Sequence, residues 1–280
     1  MNIKPINSKS NAWFPMGAGR ALLMLDDRRS FYRGHLGNIQ GRNLGGYVVY
    51  LALDEPIAIK INGREWKTCE MAVVAPHITH CIRAAKGCAA QVILESEDIS
   101  AEHLPSWMSS ESGVIGDEAL IAHWRTACSS IGQSDSSLLT EMLDRLLFGR
   151  SLPQRHTDAR IGRVVQKILD NPAEQHSAED CASAVALSCS RFLHLFSHEM
   201  GVPFRRFRAW KRARSLLYIL KRECNLTDLA LDCGYSDSAH FSNSIRDVYG
   251  YKPREIVFAG RSIPTFRQAV AHRQSSAFWQ

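Results

Sequence analysis

Histidine and cysteine are the residues whose chemistry depends most on spacing, and this chain of 280 residues holds 11 of the first and eight of the second. Cys69, Cys81, Cys88, Cys128, Cys181, Cys189, Cys224 and Cys233 show neither a Cys-x-x-Cys pair nor zinc-finger spacing. They read as free thiols in a reducing compartment, most of them small core residues. His35 is followed by Leu-Gly-Asn rather than a second ligand, and His77 and His80, three apart, cannot face the same side of a straight strand. His80 therefore reads as a structural or pocket-lining residue before a metal ligand. No nucleophile, base and orienting group assemble from local spacing, so the reading is of a chain that is not an enzyme and uses no cofactor.

The side chains with an organised outward pattern lie in the last third, where one plan occurs twice. In the first copy Ser177 and Asp180 read as a capping box, Ala182, Val185 and Leu187 as the apolar stripe of a short helix, and Ser188 as the cap of the next. Phe192, Leu195, Phe196 and Met200 then recur at helical spacing until Gly201 stops the helix. The second copy uses Leu226, Leu229 and Ala230, a turn at Cys233-Gly234-Tyr235, and then Phe241, Ile245, Val248 and Tyr249, ended by Gly250 and Pro253. A helical wheel at about 100° per residue leaves Ser190, His194 and Ser197 outward on one second helix, and Ala239, Asn243 and Arg246 on the other. Small, hydrogen-bonding, partly basic faces of this kind suit the major groove of double-stranded DNA, which admits an α-helix and presents a distinct donor and acceptor code.

Net charge is only +6, so bulk charge does not mark a nucleic-acid binder. Its distribution does more. Arg205, Arg206, Arg208, Lys211, Arg212, Arg214, Lys221 and Arg222 crowd onto the helix that Pro203 opens, while Phe207, Trp210, Ala213, Leu217 and Leu220 form its inward stripe. Many of these charges are expected to point outward, as phosphate contacts or as a solvated face.

The run Leu187-Ser188-x-Ser190-Arg191-Phe192-x-x-Leu195-Phe196, then Gly201, Phe204 and Arg212, then Leu229-Ala230, Gly234-Tyr235, Asp237, Phe241, Gly250 and Pro253, resembles the DNA-binding domain of AraC/XylS-type transcriptional regulators. The likeness covers roughly residues 160–258. It implies that each second helix enters the major groove, the two about a helical turn apart. By position it places base contacts at Ser190, Leu193 and His194 on the first helix, and at Ala239 and Asn243 on the second; Ser197 and Arg246 join them from the wheel. Phosphate contacts are expected at Ser188, Arg191, Arg205, Arg206, Arg212 and Ser236. There are departures. Leu193 stands where the family is usually polar, and reads as a thymine-methyl contact or an extra core residue; Ala239 cannot hydrogen-bond a base; Ile245 and Ile256 replace aromatic core residues. Asn243 is the strongest base reader, because one amide can bond adenine N6 and N7 together.

The first half reads as short strands. Tyr47–Leu53, Ile57–Ile61, Met71–Val74 and Ala90–Leu94 are β-branched or aromatic runs separated by Asp54-Glu-Pro56, Asn62-Gly63 and Lys86-Gly87, with a primed hairpin turn at Asn62-Gly63. An antiparallel barrel or jelly roll follows, and Val73-Val-Ala-Pro76-His77-Ile-Thr-His80 resembles cupin-like sensor domains over roughly residues 15–96. An effector pocket is expected near Tyr50, Trp66, His80 and Cys81. Residues 117–125 and 137–148 read as helices, the second with a wide stripe of Leu138, Leu139, Met142, Leu143, Leu146 and Leu147 for packing on the barrel and for self-association.

The fold class is therefore α+β, with a sensor barrel in 1–96, a helical dimerisation region in 97–150, a linker in 151–159, the paired helix-turn-helix domain in 160–258 and a basic tail in 259–280. Met1 to Asn7 lacks an apolar signal-peptide core and no apolar run approaches a membrane span, so a cytoplasmic homodimer that avoids membranes is expected. The reading is of a DNA-binding regulator, activation favoured, with double-stranded DNA, a small-molecule effector and RNA polymerase as partners. Its rivals are a cupin-type metal enzyme, which needs ligands that His35, His77 and His80 do not provide, and a constitutive DNA-binding protein whose barrel only dimerises.

Overall fold

The computed structural model describes residues 21–109, 112–132, 139–220 and 225–267. Among them the strands are β1 (Leu22–Leu25), β2 (Arg29–Arg42), β3 (Gly46–Ala52), β4 (Ile57–Ile61), β5 (Lys67–Cys69), β6 (Met71–Val74), β7 (His80–Glu95), β8 (Gly113–Ile115) and β9 (Thr265–Arg267). They form one sheet in the order β8, β6, β3, β7, β2, β1, β9, with the β4–β5 hairpin attached to β7. All pairings are antiparallel except that of β1 with β9. The 14 residues of β2 and 16 of β7 pair along their length, and register shifts between His35 and Gly37 and between Ile39 and Arg42 let the ladder bend. The sheet curls into a nearly closed antiparallel barrel. At its hairpin tip Asn62 and Gly63 both have positive φ, 50° and 72°, as a primed turn requires.

Alternation along the strands divides the side chains between two cores. Val48, Tyr50 and Ala52 of β3 join the inner cluster, whereas Val49 and Leu51 face the outer one. Helices α1 (Ser106–Ser109), α2 (Glu118–Ser130, capped by Asp117) and α3 (Leu139–Phe148) follow β7, and α2 and α3 cover the outer face through Trp124, Leu139, Leu143 and Leu147. The broad stripe predicted for α3 is thus largely taken up by the chain's own sheet, leaving Met142 and Leu146 half-buried; Ser137 and Leu138 lie outside the described residues.

The C-terminal helices are α4 (Ala159–Asp170), α5 (Ala178–Ala184), α6 (Cys189–Met200), α7 (Phe204–Ile219), α8 (Leu226–Asp232), α9 (Ser238–Tyr249) and α10 (Pro253–Ser262). The first helix-turn-helix unit has its own core, with Ile161, Phe192, Phe196, Met200, Phe204 and Phe207. The second shares the inner core of the barrel: Trp210, Leu217, Phe241, Ile245, Tyr249 and Ile256 pack with Leu36, Ile39 and Tyr50. Two expectations change here. Residues 259–267 are no loose tail, since α10 runs to Ser262 and Thr265–Arg267 pair in parallel with Leu23–Leu25. The linker is fastened too: Arg155 donates to the carbonyls of Ser96, Ile99 and Glu199. His272 and Arg273 of the expected tail lie outside the described residues.

Candidate nucleic-acid interface and the cavity behind it

The second helices of the two helix-turn-helix units, α6 and α9, are built alike. Ser188 accepts from the Arg191 N–H at the start of α6, and Asp237 accepts from the Ala239 and His240 N–H groups at the start of α9. Each helix has 12 residues and ends on a left-handed glycine, Gly201 with φ 71° and Gly250 with φ 73°. The turns close identically, Leu187 N–H to Ala182 C=O at 3.0 Å and Tyr235 N–H to Ala230 C=O at 2.9 Å. The residue at positive φ is Gly234 in the second turn and Ala186, with φ 55°, in the first. Inward residues fall as the spacing predicts, with Phe192, Phe196, Met200, Phe241, Ile245, Val248 and Tyr249 buried.

Outward, Ser190, Leu193 and His194 of α6 are exposed and Ser197 is half-buried, while Ala239, Asn243 and Arg246 of α9 are exposed. Leu193 is 37% exposed and outside the core cluster of its unit, so it is not an extra core residue. Of the residues expected at phosphates, Ser188, Arg191, Arg205, Arg206 and Ser236 are exposed. Arg212 is held between the two units instead. Its guanidinium lies 5.5 Å from the Tyr235 ring centre and donates to the Glu174 carbonyl at 3.3 Å.

Helix α7 departs furthest from expectation. Its stripe of Phe207, Trp210, Ala213, Leu217 and Leu220 is buried, but so are Lys211 and Arg214. Glu95, at the end of β7, accepts from the Trp210 indole at 2.7 Å and from Lys211 at 2.5 Å, and its other oxygen lies 2.6 Å from Arg214 Nε. Lys211 also pairs with Glu97, and Arg214 donates to the Asp26 carbonyl. Burial alone would raise the Glu95 pKa, but Lys211 and Arg214 hold its carboxyl below the ordinary range. The helix is enclosed by the barrel and the helix-turn-helix units together, so these cations meet buried acids. Lys221 and Arg222 lie outside the described residues.

On the barrel side, Tyr50 donates to His80 Nε2 at 2.7 Å, while His80 Nδ1 faces the Ile78 carbonyl at 2.8 Å. Burial and the nearby Arg42 lower the His80 pKa to about 3, so the imidazole is neutral. Trp66 and Cys81 do not join this pair. Trp66 lies under the Arg83 guanidinium at 4.0 Å, and Cys81, adjacent to His80 on one strand, faces the opposite side and meets the Gly41 N–H. Among the described residues no three His, Cys, Asp or Glu side chains are grouped to share a metal ion. A cavity of about 70 Å³ lies deeper, between the barrel and the second helix-turn-helix unit, walled by Ser30, Arg42 and Gln91 on one side and Leu217, Tyr249 and Ile256 on the other.

Comparison with known proteins bears on this geometry. Residues 181–257 match the family model of a helix-turn-helix domain, spanning both capped units. The C-terminal region is an AraC-type helix-turn-helix domain. Over 102 residues, 36% of this chain and 37% of the relative, it is 31% identical to the HTH-type transcriptional activator RhaS of Escherichia fergusonii. Over 136 residues, 45% of this chain and 54% of the relative, it is 30% identical to the probable transcriptional regulator LumQ of Photobacterium leiognathi. The matches thus span between about a third and about half the length of these curated relatives. An apo form of ToxT from Vibrio cholerae strain SCE256 superposes on 83% of this chain and 98% of its own with a TM-score of 0.57 at 9% identity, which shows a shared fold. Among the described residues no helix is long and apolar enough to cross a membrane.

The AraC-type domain also contains residues whose partners local spacing did not reveal. Trp210, Lys211 and Arg214 are interface residues that meet Glu95 across 115 or more positions, as in the 116 between Lys211 and Glu95. Arg42 was equally silent in the sequence, being one arginine among many until β2 carried it inside.

Proposed function

We propose that the protein is a sequence-specific DNA-binding transcriptional regulator whose barrel responds to a small-molecule effector. One observation carries the reading: α6 and α9 bury Phe192, Phe196, Met200, Phe241, Ile245, Val248 and Tyr249 and expose Ser190, His194, Asn243 and Arg246 on capped helices that both end on a left-handed glycine. Such faces hydrogen-bond base edges, while Arg191, Arg205 and Arg206 supply salt-sensitive, sequence-independent attraction. The relative RhaS is named an activator, and the reading takes activation, with a contact to RNA polymerase, as the sign of regulation. Among the described residues α2 and α3 leave Leu120, Met142, Leu146 and Phe148 half-covered for self-association, so pairing of two copies is weak and assisted by DNA. No catalytic role is assigned.

The test is selection of bound sequences from random double-stranded DNA with the full chain. The expected result is an asymmetric site with two contacted segments about 10 base pairs apart, one per reading helix. Recovery of no enriched sequence would overturn the reading.

A further inference from the structure

The β4–β5 hairpin is a basic arm on the barrel. Ile57, Ile59 and Cys69 point into the inner core, whereas Lys60, Arg64 and Lys67 stand against a single acid, Glu65, along residues 57–69. Register sets Ala58 opposite both Thr68 and Arg83, and Lys60 opposite Cys81, so Lys60 and Arg83 share the outward face. Trp66 holds the Arg83 guanidinium 4.0 Å from its ring centre, which steadies the cation and leaves it exposed. Arg64 is exposed beside the primed turn. Among the described residues none of Lys60, Arg64, Lys67 and Arg83 is paired with a carboxylate, and Glu70, just past the arm, lies 3.6 Å from Arg125 instead.

The tip of the arm lies on the rim where the second helix-turn-helix unit docks. The Asn62 N–H donates to the Thr79 carbonyl at 2.8 Å, and the Asn43 amide donates to the Thr79 hydroxyl at 3.2 Å. The Asn43 N–H in turn donates to the carbonyl of Val248, in the last turn of α9, at 3.1 Å. Only Asn43 and Thr79 thus stand between the tip and the reading helix. Across the rim the exposed Arg246, Lys252 and Arg254 continue the basic surface, interrupted by Asp247. A helix in a major groove about 12 Å wide has a phosphate strand on either side, so long cations beside its end meet backbone rather than bases. Building on the regulator reading, we propose that the arm is a DNA contact made by the barrel itself: Lys60, Arg64 and Arg83 bind phosphates that flank the segment read by α9. The arm reaches that backbone only while the barrel is docked on the second unit, so DNA favours the docked arrangement.

The full chain and a variant combining Lys60→Gln, Arg64→Gln and Arg83→Gln are titrated with duplex DNA at several salt concentrations. Each phosphate contact adds about 0.9 to the slope of log K against log salt, so the variant should lose about 2–3 units of slope. Between about 50 and about 200 mM salt the parent should then lose about 40-fold more affinity than the variant. The two should select the same bases. Hydroxyl-radical footprints should show protection beside the segment read by α9 in the parent and not in the variant, and trimming those flanking base pairs should weaken the parent alone. Arg145→Gln with Arg150→Gln removes exposed charge at the far end of α3 and should leave the slope within about half a unit. Should the triple variant fail to fold, Arg64→Gln alone should cost about one unit. An unchanged slope, an unchanged footprint or an equal loss in the Arg145 and Arg150 variant overturns the proposal. So does an unchanged slope with lost transcription from a promoter carrying the site, which would assign the arm to an acidic protein partner. Because phosphate contacts need no sequence, the slopes are also compared on random duplex: a difference there without any selected site sinks the regulator reading alone, and a selected site without a difference sinks the arm alone.

Discussion

The indole of Trp210 occupies the space that a side chain at position 45 would need, so Gly45 is the notch into which α7 docks on the barrel. A β-carbon there would fall within the contact distance of three Trp210 side-chain atoms. Gly45→Ala should therefore destabilise the protein by about 1–3 kcal/mol through overpacking. Adding Trp210→Leu should recover part of that loss in a double-mutant cycle followed by urea unfolding. Strictly additive effects would show that the two positions do not meet.

Acid should destabilise the protein through His80. Its folded-state pKa of about 3 lies below the ordinary 6.5, so between those values the unfolded chain takes up a proton that the folded chain refuses. Stability is then complete above pH 6.5 and falls with pH across that window, by up to about 1.4 kcal/mol per pH unit for one such group. His77, lowered to about 4 by burial and then by Arg206, acts in the same direction. Unfolding free energies at about pH 7 and pH 5.5 should differ less in His80→Gln than in the parent; equal differences would mean that His80 does not titrate with folding.

How far the sequence could be read depended on the range of the interaction. Caps, turn closures and inward stripes link residues three to five apart, which is why Ser188, Gly201, Phe196, Phe241 and Gly250 fall where periodicity puts them. The primed turn at Asn62 and Gly63 is equally local. Lys211 and Arg214 show the limit: a run of cations reads as exposed because nothing nearby reveals that Glu95 will close over it. The expected pocket failed for a related reason. Tyr50 and His80 meet across strands, but Cys81 follows His80 on one strand and so faces away, while Trp66 precedes β5 on the hairpin arm. The parallel pairing of β9 with β1 joins opposite ends of the chain, beyond any local signal.

Arginines on the reader surface should separate into two kinds. Arg205 and Arg206 are exposed at the start of α7, so Arg205→Ala and Arg206→Ala should each flatten the salt dependence of DNA binding by about one unit of slope and leave stability within about 0.5 kcal/mol. Arg212 is stacked on Tyr235 and bonded to Glu174, so Arg212→Ala should instead lower stability by about 1 kcal/mol and change the slope less. Affinity measured at several salt concentrations, beside urea melts, distinguishes these outcomes. A full unit of slope lost in Arg212→Ala with unchanged stability would return that residue to the phosphate-contacting set.

The two turns invite opposite substitutions. Gly234 has φ 76°, and a β-carbon there would strike the Ala173 backbone, so Gly234→Ala should cost about 2–4 kcal/mol from strain and overlap together. Ala186 already carries a β-carbon at φ 55°, and Ala186→Gly should stabilise the first unit by about 0.5–1 kcal/mol. Thermal melts of the two variants should shift in opposite directions; a destabilised Ala186→Gly would mean that the Ala186 methyl contributes more by contact than its conformation costs.

Asn243 is the sharpest test of the reading helices, because it is exposed mid-way along α9 and its amide can both donate to and accept from one adenine. Asn243→Ala removes no core contact, so folding should be unaffected while discrimination at one base position falls by about 1–3 kcal/mol. The neighbour one turn earlier, Ala239, has no hydrogen-bonding group, which concentrates the base reading of α9 on Asn243 and Arg246. Sequence selection with the variant should flatten a single column of the binding profile and leave the segment read by α6 intact. A profile unchanged at every position would mean that α9 holds DNA by its backbone and shape alone, with α6 as the reader of sequence.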